Sequence, residues 1–308
     1  MTIEAAIQDK KHYNRIVEAT EHQNAGRYME ARNIYLDLLE ENPDDANALH
    51  LLGMLSHQAG NTKQGIGLIE RAIELIPDFT LFLNNLGHIY LSINQLDKAE
   101  DLLLRATRKD PDMVAPLYGL GECYRRKGEL QQAANFIQMV LQREPQNTDA
   151  IVSLGQIHLE NKSPQKALEL FDIALSIDPG HFNARFQSAR AHFALNEYQK
   201  SMSILQDLVQ LHPEHAPSYN NLGNAYMGLQ QFDNARAAYQ AMVDRKPADA
   251  DMRYNLALAL IELDDLRTAI EHLEHGLNLA PEHGRIKQLL THARSVQHGN
   301  ENDGYRPG

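Results

Sequence analysis

The chain has 308 residues, of which 43% are hydrophobic and 23% are charged, and its formal net charge is −12. These fractions are ordinary for a folded helical protein. The negative charge argues against a nucleic-acid partner or a membrane surface, because either would require a basic stripe that faces phosphate groups. Cys123 is the single cysteine, which excludes a disulfide framework and a thiolate metal site, and we expect it to be a small buried hydrophobic residue.

The chain begins MTIEAAIQDKKHYNRIVEA, and residues 1–11 form an extension ahead of the pattern described below. This start lacks the apolar core of a secretory signal. No stretch of the sequence has the roughly 18 apolar residues that a membrane-spanning helix needs. We therefore expect a soluble, cytoplasmic protein without membrane insertion.

The stretch 80–113 shows the predicted elements most clearly. Each of its halves has apolar or small residues at the spacing of one helical face, so it predicts two consecutive amphipathic helices. Asn94 lies between them and is the predicted N-cap of the second helix, and Pro111 blocks its continuation. A single hairpin leaves apolar surface in water, so such units must stack on copies of themselves. In the first half the face consists of Leu83, Leu86, Gly87 and Tyr90.

The copies are marked by prolines at a constant spacing of 34 residues. These are Pro43, Pro77, Pro111, Pro145, Pro179, Pro213, Pro247 and Pro281. Counting each proline as place 32 of a repeat gives the repeats 12–45, 46–79, 80–113, 114–147, 148–181, 182–215, 216–249 and 250–283.

Two places of the repeat hold only small residues. Place 8 is always Gly or Ala, and place 20 is always Ala, Gly or Ser. We expect the two helices of each hairpin to touch at these places, where a larger side chain would force the backbones apart at a cost of roughly 1–3 kcal/mol.

With this period and these small places, the sequence resembles the tetratricopeptide repeat family over residues 12–283. The resemblance implies an all-α, right-handed superhelical solenoid of about eight helix-turn-helix units. A capping helix is expected at 284–298, and residues 299–308 are expected to form a disordered tail, because they carry too little apolar surface to order themselves. The family's Trp at place 4 is missing throughout. The N-terminal repeats are similar to the repeat arms of O-GlcNAc-transferase-like and sulfotransferase-linked bacterial proteins.

No pattern in the sequence indicates catalysis, a cofactor or a metal. Gly65 and Gly67 begin a sequence like a dinucleotide loop, but the third glycine is missing and the context is helical. Two histidine pairs are candidate metal ligands, but neither has a third ligand close in sequence, so we interpret them as surface histidines. The pairs are His272 with His275 and His212 with His215. We therefore expect a protein that is not an enzyme.

In the resembled family, places 2, 5, 6, 9, 12 and 13 of each first helix line a concave groove. Carried onto this chain, these places are rich in amides and aromatic side chains. Carboxamides can hydrogen-bond the backbone of an extended peptide, and Tyr and Phe supply apolar contact. The alternative is that the asparagines merely solvate an exposed helical face. The predicted peptide-binding residues are Asn84, Asn85, His88, Tyr118, Glu122, Arg125, Arg126, Gln156, Phe186, Gln187, Arg190, Asn220, Asn221, Asn224, Tyr254 and Asn255.

These residues favour a protein-binding scaffold or adaptor that takes an extended or helical peptide segment of a partner in the groove. The alternative class is the substrate-recognition arm of a glycosyltransferase or sulfotransferase, working in cis or in trans. The repeated Asn before Leu-Gly looks like the asparagine ladder of O-GlcNAc transferase, although five repeats lack it. No three adjacent repeats match the family's clamp for chaperone tails. Self-association is a third possibility.

Overall fold

The computed structural model describes the backbone of residues 3–303 and the side chains of residues 10–298. Over residues 3–303 the chain forms seventeen α-helices and no β-strand. The predicted fold class, all-α with about eight helix-turn-helix repeats and a terminal helix, is confirmed. The helices are α1 Ile3–Asn24, α2 Tyr28–Glu41, α3 Ala46–Gln58, α4 Thr62–Leu75, α5 Thr80–Ser92, α6 Leu96–Lys109, α7 Val114–Arg126, α8 Leu130–Arg143, α9 Thr148–Glu160, α10 Pro164–Ile177, α11 Phe182–Ala194, α12 Tyr198–Leu211, α13 Ala216–Gly228, α14 Phe232–Arg245, α15 Ala250–Glu262, α16 Leu266–Leu279 and α17 Gly284–Asp303.

The chain divides into two compact blocks, residues 1–150 and residues 151–308, called here the N-terminal block and the C-terminal block. The division falls in the first turn of α9. In the N-terminal block, α1 to α8 form four hairpins, each packed on the next. In the C-terminal block, α10 to α16 pack consecutively in the same way, and α17 packs on α16.

The terminal helices are longer than the boundaries drawn from the sequence. The first helix begins at Ile3, so the predicted N-terminal extension is helical from that residue onward. The last helix continues past the predicted end at 298 to Asp303. A helix anchored by packing, as α17 is through Ile286 and Leu290, gains one backbone hydrogen bond for each residue added, so polar residues can extend it. Residues 304–308 of the predicted tail lie outside the described residues.

Each hairpin turn contains one residue in the left-handed backbone region, at place 15. Asn94 is such a residue, with φ of 59°, and Gln95 is the residue that precedes α6. The prediction of Asn94 as N-cap is therefore wrong: its short polar side chain suits the left-handed position instead. The Gln95 N–H then donates to the Tyr90 carbonyl at 2.9 Å and closes the preceding helix. The place-15 residues are Gly26, Gly60, Asn94 and Gly128 in the N-terminal block and Lys162, Asn196, Gln230 and Asp264 in the C-terminal block.

The small residues at places 8 and 20 lie where the two helices of a hairpin touch. A Cβ atom added to Gly121 would lie 2.4 Å from Cδ1 of Ile137. One added to Gly65 would lie 2.5 Å from the backbone oxygen of Gly53. Real Cβ atoms do not approach other atoms this closely, so the side chain or backbone opposite would have to move. The steric reason for the two columns of small residues is therefore visible in the packing.

Cys123 is fully buried within α7. Its thiol donates to the Leu96 carbonyl at 3.3 Å, and burial raises its pKa to about 11. The thiol is protonated at neutral pH, so Cys123 acts as the small hydrophobic residue that the sequence predicted.

At place 4, where the resembled family has Trp, the C-terminal block has two arginines. Arg185 pairs with Asp207 of the second helix at 3.0 Å. Arg253 is buried, and it donates to the Pro247 carbonyl at 2.8 Å. Both side chains fasten the first helix of their repeat to a neighbouring segment by charge-assisted hydrogen bonds rather than by aromatic packing.

Candidate functional site

All the predicted peptide-binding residues lie on the first helices of their repeats. We call this surface the first-helix face; it is formed by α3, α5 and α7 in the N-terminal block and by α9, α11, α13 and α15 in the C-terminal block. Neighbouring first helices are in contact: α3 with α5, α5 with α7, and α11 with α13. Side chains from successive repeats therefore meet within each block.

In the N-terminal block, the two asparagines of α5 belong to a chain of hydrogen bonds that continues to α3. Asn84 donates to Asn85 at 3.1 Å, and the amide nitrogen of Asn85 lies 3.0 Å from Nε2 of His50 on α3. The His50 ring stacks on Phe82 with 4.6 Å between ring centres. Three polar side chains thus join two adjacent repeats over an aromatic support.

This chain of amides is buried. His50 is 3% exposed and Asn84 is 5% exposed, and the carbonyl oxygen of the Asn84 side chain has no hydrogen-bond partner. Burial lowers the pKa of His50 to about 4, so the ring is neutral at neutral pH and its Nε2 accepts the hydrogen bond from Asn85. Such a network stabilises the junction of the two repeats, and little of its polar surface is offered to a ligand.

His88 and Tyr118 line an adjacent open cavity of about 370 Å³, together with Val114, Ala115, Glu144, Asn147 and Asp149. Burial lowers the pKa of His88, although its hydrogen bond with the Ala115 backbone acts in the opposite direction. The structure therefore brings these two predicted residues to one cavity, with a neutral imidazole on its wall at neutral pH.

Glu122, Arg125 and Arg126 of α7 form one ion-paired cluster. Glu122 pairs with Arg125 at 2.8 Å and with Arg126 at 2.5 Å. Burial raises the pKa of Glu122, but the hydrogen bonds from the two arginines outweigh that effect and hold the pKa below its usual value. Arg126 also donates to the Leu91 carbonyl of α5 at 2.8 Å. Much of the charge that the sequence placed on this face is thus used within the fold.

In the C-terminal block, α13 and α15 are joined by a similar bond. Asn255 donates to the side-chain oxygen of Asn220 at 2.8 Å. Asn224 accepts a hydrogen bond of 2.6 Å from the hydroxyl of Tyr239 on α14. Burial raises the pKa of Tyr239, which keeps that hydroxyl a donor.

The bonds made by Asn85 and Asn255 follow one rule: an amide at place 6 donates to an acceptor at place 5 of the preceding repeat. Asn85 finds His50 in this way, and Asn255 finds Asn220. Asn221 also stands at place 6, but the preceding place 5 is Phe186, which offers no acceptor. The Asn221 side chain consequently makes no hydrogen bond with the part of the chain that the structure describes.

The predicted residues of α9 and α11 form a polar cluster beside an aromatic one. Asn183 accepts from Gln187 at 3.3 Å and from Gln156 at 3.5 Å. Arg190 donates to Gln187 at 2.7 Å. Phe186 packs edge-on against His215, with 5.1 Å between ring centres. Phe186 therefore joins an aromatic cluster at the edge of the face.

A cavity of about 290 Å³ opens between α9, α11 and α13, and we call it the Arg190 pocket. It brings together three predicted residues, which are Arg190, Asn221 and Asn224. Its remaining walls are Leu159, Phe193 and Ala194, together with Ser201 from α12. Ser201 is fully buried, and its hydroxyl has no hydrogen-bond partner among the described residues.

Tyr254 lies at the far end of the C-terminal block. The guanidinium carbon of Arg285 on α17 stands 4.3 Å above the centre of its ring, and His283 stacks at 6.4 Å. The terminal helix thus covers part of this aromatic surface by a cation–π contact.

The sequence missed four residues of the Arg190 pocket: Leu159, Phe193, Ala194 and Ser201. The first three stand at places 12 and 13, which belong to the groove pattern. An apolar residue at these places could therefore have been recognised as part of the groove. Ser201 was visible as a hydroxyl in the column of small residues. His50 stands at place 5 of the repeat before Asn85, and this placement could have indicated the bond between the two repeats.

The two histidine pairs that the sequence offered as metal ligands have the following neighbours. His272 lies 3.3 Å from Arg253, and His212 lies 3.7 Å from Glu214. Across the described residues, no three His, Cys, Asp or Glu side chains converge as a metal site. Among the helices described, none combines the length and the apolar character that crossing a bilayer demands.

Two family models, both described as tetratricopeptide repeat, match the sequence. One covers residues 158–226, and the other covers residues 16–78, 84–148 and 220–281. Among curated proteins, a segment of 65 residues is 36% identical to "Uncharacterized protein ycf37" of Pyropia yezoensis. That match covers 21% of this chain and 36% of the relative, so it spans about a third of the relative's length.

Several solved structures share the fold. A chain of the APC/C hetero-tetramer Cut9–Hcn1 is similar over 86% of this chain, with a TM-score of 0.69 and 20% identity, and this chain spans about half, 52%, of it. A tetratricopeptide repeat protein from Parabacteroides merdae matches over 81% of this chain and 98% of its own, with a TM-score of 0.65 and 17% identity. The type IV pilus biogenesis factor PilW matches over 68% of this chain and 98% of its own, with a TM-score of 0.64 and 16% identity. At these identities, the likeness concerns the fold.

Proposed function

Because the chain belongs to the tetratricopeptide repeat family, whose members generally mediate protein–protein interactions, we propose that it is a non-enzymatic scaffold or adaptor. It binds an extended or helical segment of a partner protein on its first-helix face. The site of that binding is the Arg190 pocket in the C-terminal block.

The observation that carries the proposal is the set of unused polar groups in this pocket. Asn221 has both its amide donors and its acceptor available, and Asn224 keeps its amide nitrogen available because only its oxygen is used. Leu159 and Phe193 supply apolar contact beside them. A few placed polar groups within an apolar concavity are the usual composition of a binding site.

The predicted amides therefore divide into two groups with different roles. Asn84, Asn85, Asn220 and Asn255 hydrogen-bond within the fold, so we assign them chiefly to the junctions between repeats. Asn221 and Asn224 face the pocket, and we assign them to the partner segment.

The test uses phage-displayed random peptides of about twelve residues, inserted so that both peptide ends are blocked, and the full chain as bait. Ala194→Trp fills the pocket, since Ala194 is an exposed wall residue. Ala237→Trp adds the same ring on an exposed position of α14, outside the pocket, and serves as the matched control.

We expect peptides selected on the natural chain to bind Ala194→Trp about tenfold more weakly or not at all, because the indole excludes them from their contacts. They should bind Ala237→Trp as they bind the natural chain. Selected peptides that bind Ala194→Trp undiminished would move the site elsewhere, and failure to select any peptide above the blank support would contradict peptide binding itself.

A further inference from the structure

Resting on the function proposed above, we infer that the Arg190 pocket receives the side-chain carboxylate of an aspartate or glutamate within an extended segment of the partner. The inference names the chemical group that the pocket takes, and it follows from the donors, the charge and the apolar wall of this one cavity.

The pocket is rich in hydrogen-bond donors. Arg190 uses one nitrogen, Nη1, to reach Gln187 at 2.7 Å, and its other N–H groups remain available. The Asn224 oxygen already accepts a hydrogen bond from Tyr239, and both N–H groups of its amide remain available as donors. Asn221 adds two more donors, and Ser201 adds a hydroxyl. A site with more donors than acceptors selects a group of acceptors, and a carboxylate is an acceptor on both oxygens.

The charge of the site selects a monoanion. Arg190 makes no ion pair with any residue that the structure describes, so its charge is available to a ligand. One guanidinium balances one carboxylate. A phosphoryl group carries roughly −1.5 to −2 at neutral pH, and it would leave negative charge uncompensated on a chain whose net charge is already −12.

The other arginines predicted on this face do not offer the same opportunity. Arg125 and Arg126 both pair with Glu122, so an incoming carboxylate would have to compete with a carboxylate already in place. Arg190 differs because its hydrogen-bond partner, Gln187, is a neutral amide. The Arg190 pocket is therefore the part of the face best suited to an acidic side chain.

The apolar wall indicates what stands next to the acidic residue. Phe193 is 37% exposed, and it lines the pocket with Leu159 and Ala194. These surfaces suit the methylene groups of the acidic side chain and one apolar neighbour in the bound segment. We expect a short recognition element of one acidic residue followed or preceded by an aliphatic one.

The experiment repeats the random-peptide selection on the full natural chain and on Arg190→Gln, with both peptide ends blocked. Arg267→Gln removes the same charge from an exposed position on α16 and is the matched control. We expect one position of the peptides selected on the natural chain and on Arg267→Gln to be enriched in Asp or Glu. On Arg190→Gln that enrichment should disappear, although peptides should still be selected.

The strongest selected peptide is then synthesised with acetylated and amidated ends. Changing its acidic residue to Gln or Asn should weaken binding to the natural chain about tenfold, the size expected for a charge-assisted hydrogen bond. The same change should have little effect on binding to Arg190→Gln. Added salt should weaken the acidic peptide more than its neutral counterpart.

The outcomes separate this inference from the proposed function. Peptides that bind the natural chain and lose affinity on Ala194→Trp, yet show no acidic preference, would overturn the carboxylate and leave the binding face standing. Tighter binding of a synthetic peptide that carries phosphoserine at the acidic position, or that has a free terminus, would overturn the carboxylate assignment in favour of another anion. Peptides unaffected by Ala194→Trp would overturn both proposals.

Discussion

The sequence Asn-Asn-Leu-Gly occurs twice, at 84–87 in α5 and at 220–223 in α13, and the two copies have different surroundings. In α5, Asn84 is buried, and Asn85 is bonded to His50 of the preceding repeat. In α13, place 5 of the preceding repeat is Phe186, which offers no acceptor, and Asn221 lines the Arg190 pocket. An identical local sequence thus becomes a structural junction in one block and a candidate binding surface in the other.

The role of a residue on a repeat surface therefore depends on the neighbouring repeat. An asparagine at place 6 can reach place 5 of the repeat before it, as Asn85 and Asn255 do. Whether it is bonded or available is decided by the residue found there. A change on either side of this comparison should therefore have a different consequence in the two blocks.

Lowering the pH should break the junction in the N-terminal block. Burial depresses the pKa of His50 from 6.5 to about 4, so the folded state binds fewer protons than the unfolded state. The stability that His50 contributes is fully present above pH 6.5 and is lost as the pH falls toward 4. The shift corresponds to about 3 kcal/mol. The loss is checked by the free energy of local unfolding of α3 and α5, measured by hydrogen exchange at several pH values.

His50→Gln is the control for that measurement, because its amide can still accept a hydrogen bond from Asn85 but does not titrate. The natural chain should lose stability in α3 and α5 between pH 6.5 and 4 more steeply than this variant. Burial also lowers the pKa of His88, so a common residual slope in both proteins is expected. Equal slopes would show that protonation of His50 is not what weakens the junction.

The glycines that end the two motifs should respond differently to an added methyl group. A Cβ at Gly223 would lie 2.4 Å from Cε1 of Tyr239, and one at Gly87 would lie 2.8 Å from Cγ of Leu103. Both Ala variants should be destabilised by roughly 1–3 kcal/mol. Tyr239 holds Asn224 at the pocket, so Gly223→Ala should also weaken binding of the selected peptides. Gly87→Ala should not, and equal binding by both variants would separate Tyr239 from the function of the pocket.

Replacing the place-6 asparagines tests the comparison directly. Asn85→Ala removes the bond to His50 and should destabilise by about 1 kcal/mol. Asn221→Ala removes no bond within the described chain, and because Ala favours helix more than Asn does, it should be neutral or stabilising by about 0.5 kcal/mol. Peptide binding should show the reverse order, with a loss in Asn221→Ala and none in Asn85→Ala. Urea denaturation and peptide titration of both proteins check this pair.

Much of the fold could be predicted because the repeat carries its information at fixed places. Proline at place 32 and the small residues at places 8 and 20 defined the hairpins, and the close approaches of the glycines at places 8 and 20 lie within one hairpin. Asn94 was misassigned because Asn is common both at N-caps and in left-handed turns. Only the same place in the neighbouring repeats, where Gly60 and Gly128 occur, shows that this position is left-handed.

The candidate site could be predicted only to the level of a face. Place numbers identify which side of a helix Asn85 and Asn221 occupy, but their availability depends on His50 and Phe186 in other repeats. Ser201 reaches the pocket from a second helix, which the first-helix pattern does not include. The pairing of Arg125 and Arg126 with Glu122, as opposed to the availability of Arg190, likewise depends on side-chain positions that spacing does not contain.

The smallest predicted effect concerns the turns, where the two blocks also differ. Place 15 is left-handed in every hairpin, and it is glycine three times in the N-terminal block and not once among the described turns of the C-terminal block. Lys162 adopts φ of 56° there, a conformation that costs a residue with a Cβ roughly 1–2 kcal/mol. Glycine avoids that cost but loses more backbone entropy on folding, roughly 0.5–1 kcal/mol.

Lys162→Gly should therefore stabilise α9 and α10 by a net of about 0.5–1 kcal/mol, and Gly128→Lys should destabilise α7 and α8 by a similar amount. Asn196→Gly is the control, and no gain is expected from it, because Asn tolerates the left-handed region and its side chain also accepts a hydrogen bond from Tyr198. None of these positions lines the Arg190 pocket, so peptide binding should be unchanged in all three. Hydrogen exchange in the two helices beside each turn measures the effect, and a gain from Asn196→Gly as large as that from Lys162→Gly would show that backbone strain at Lys162 is not its source.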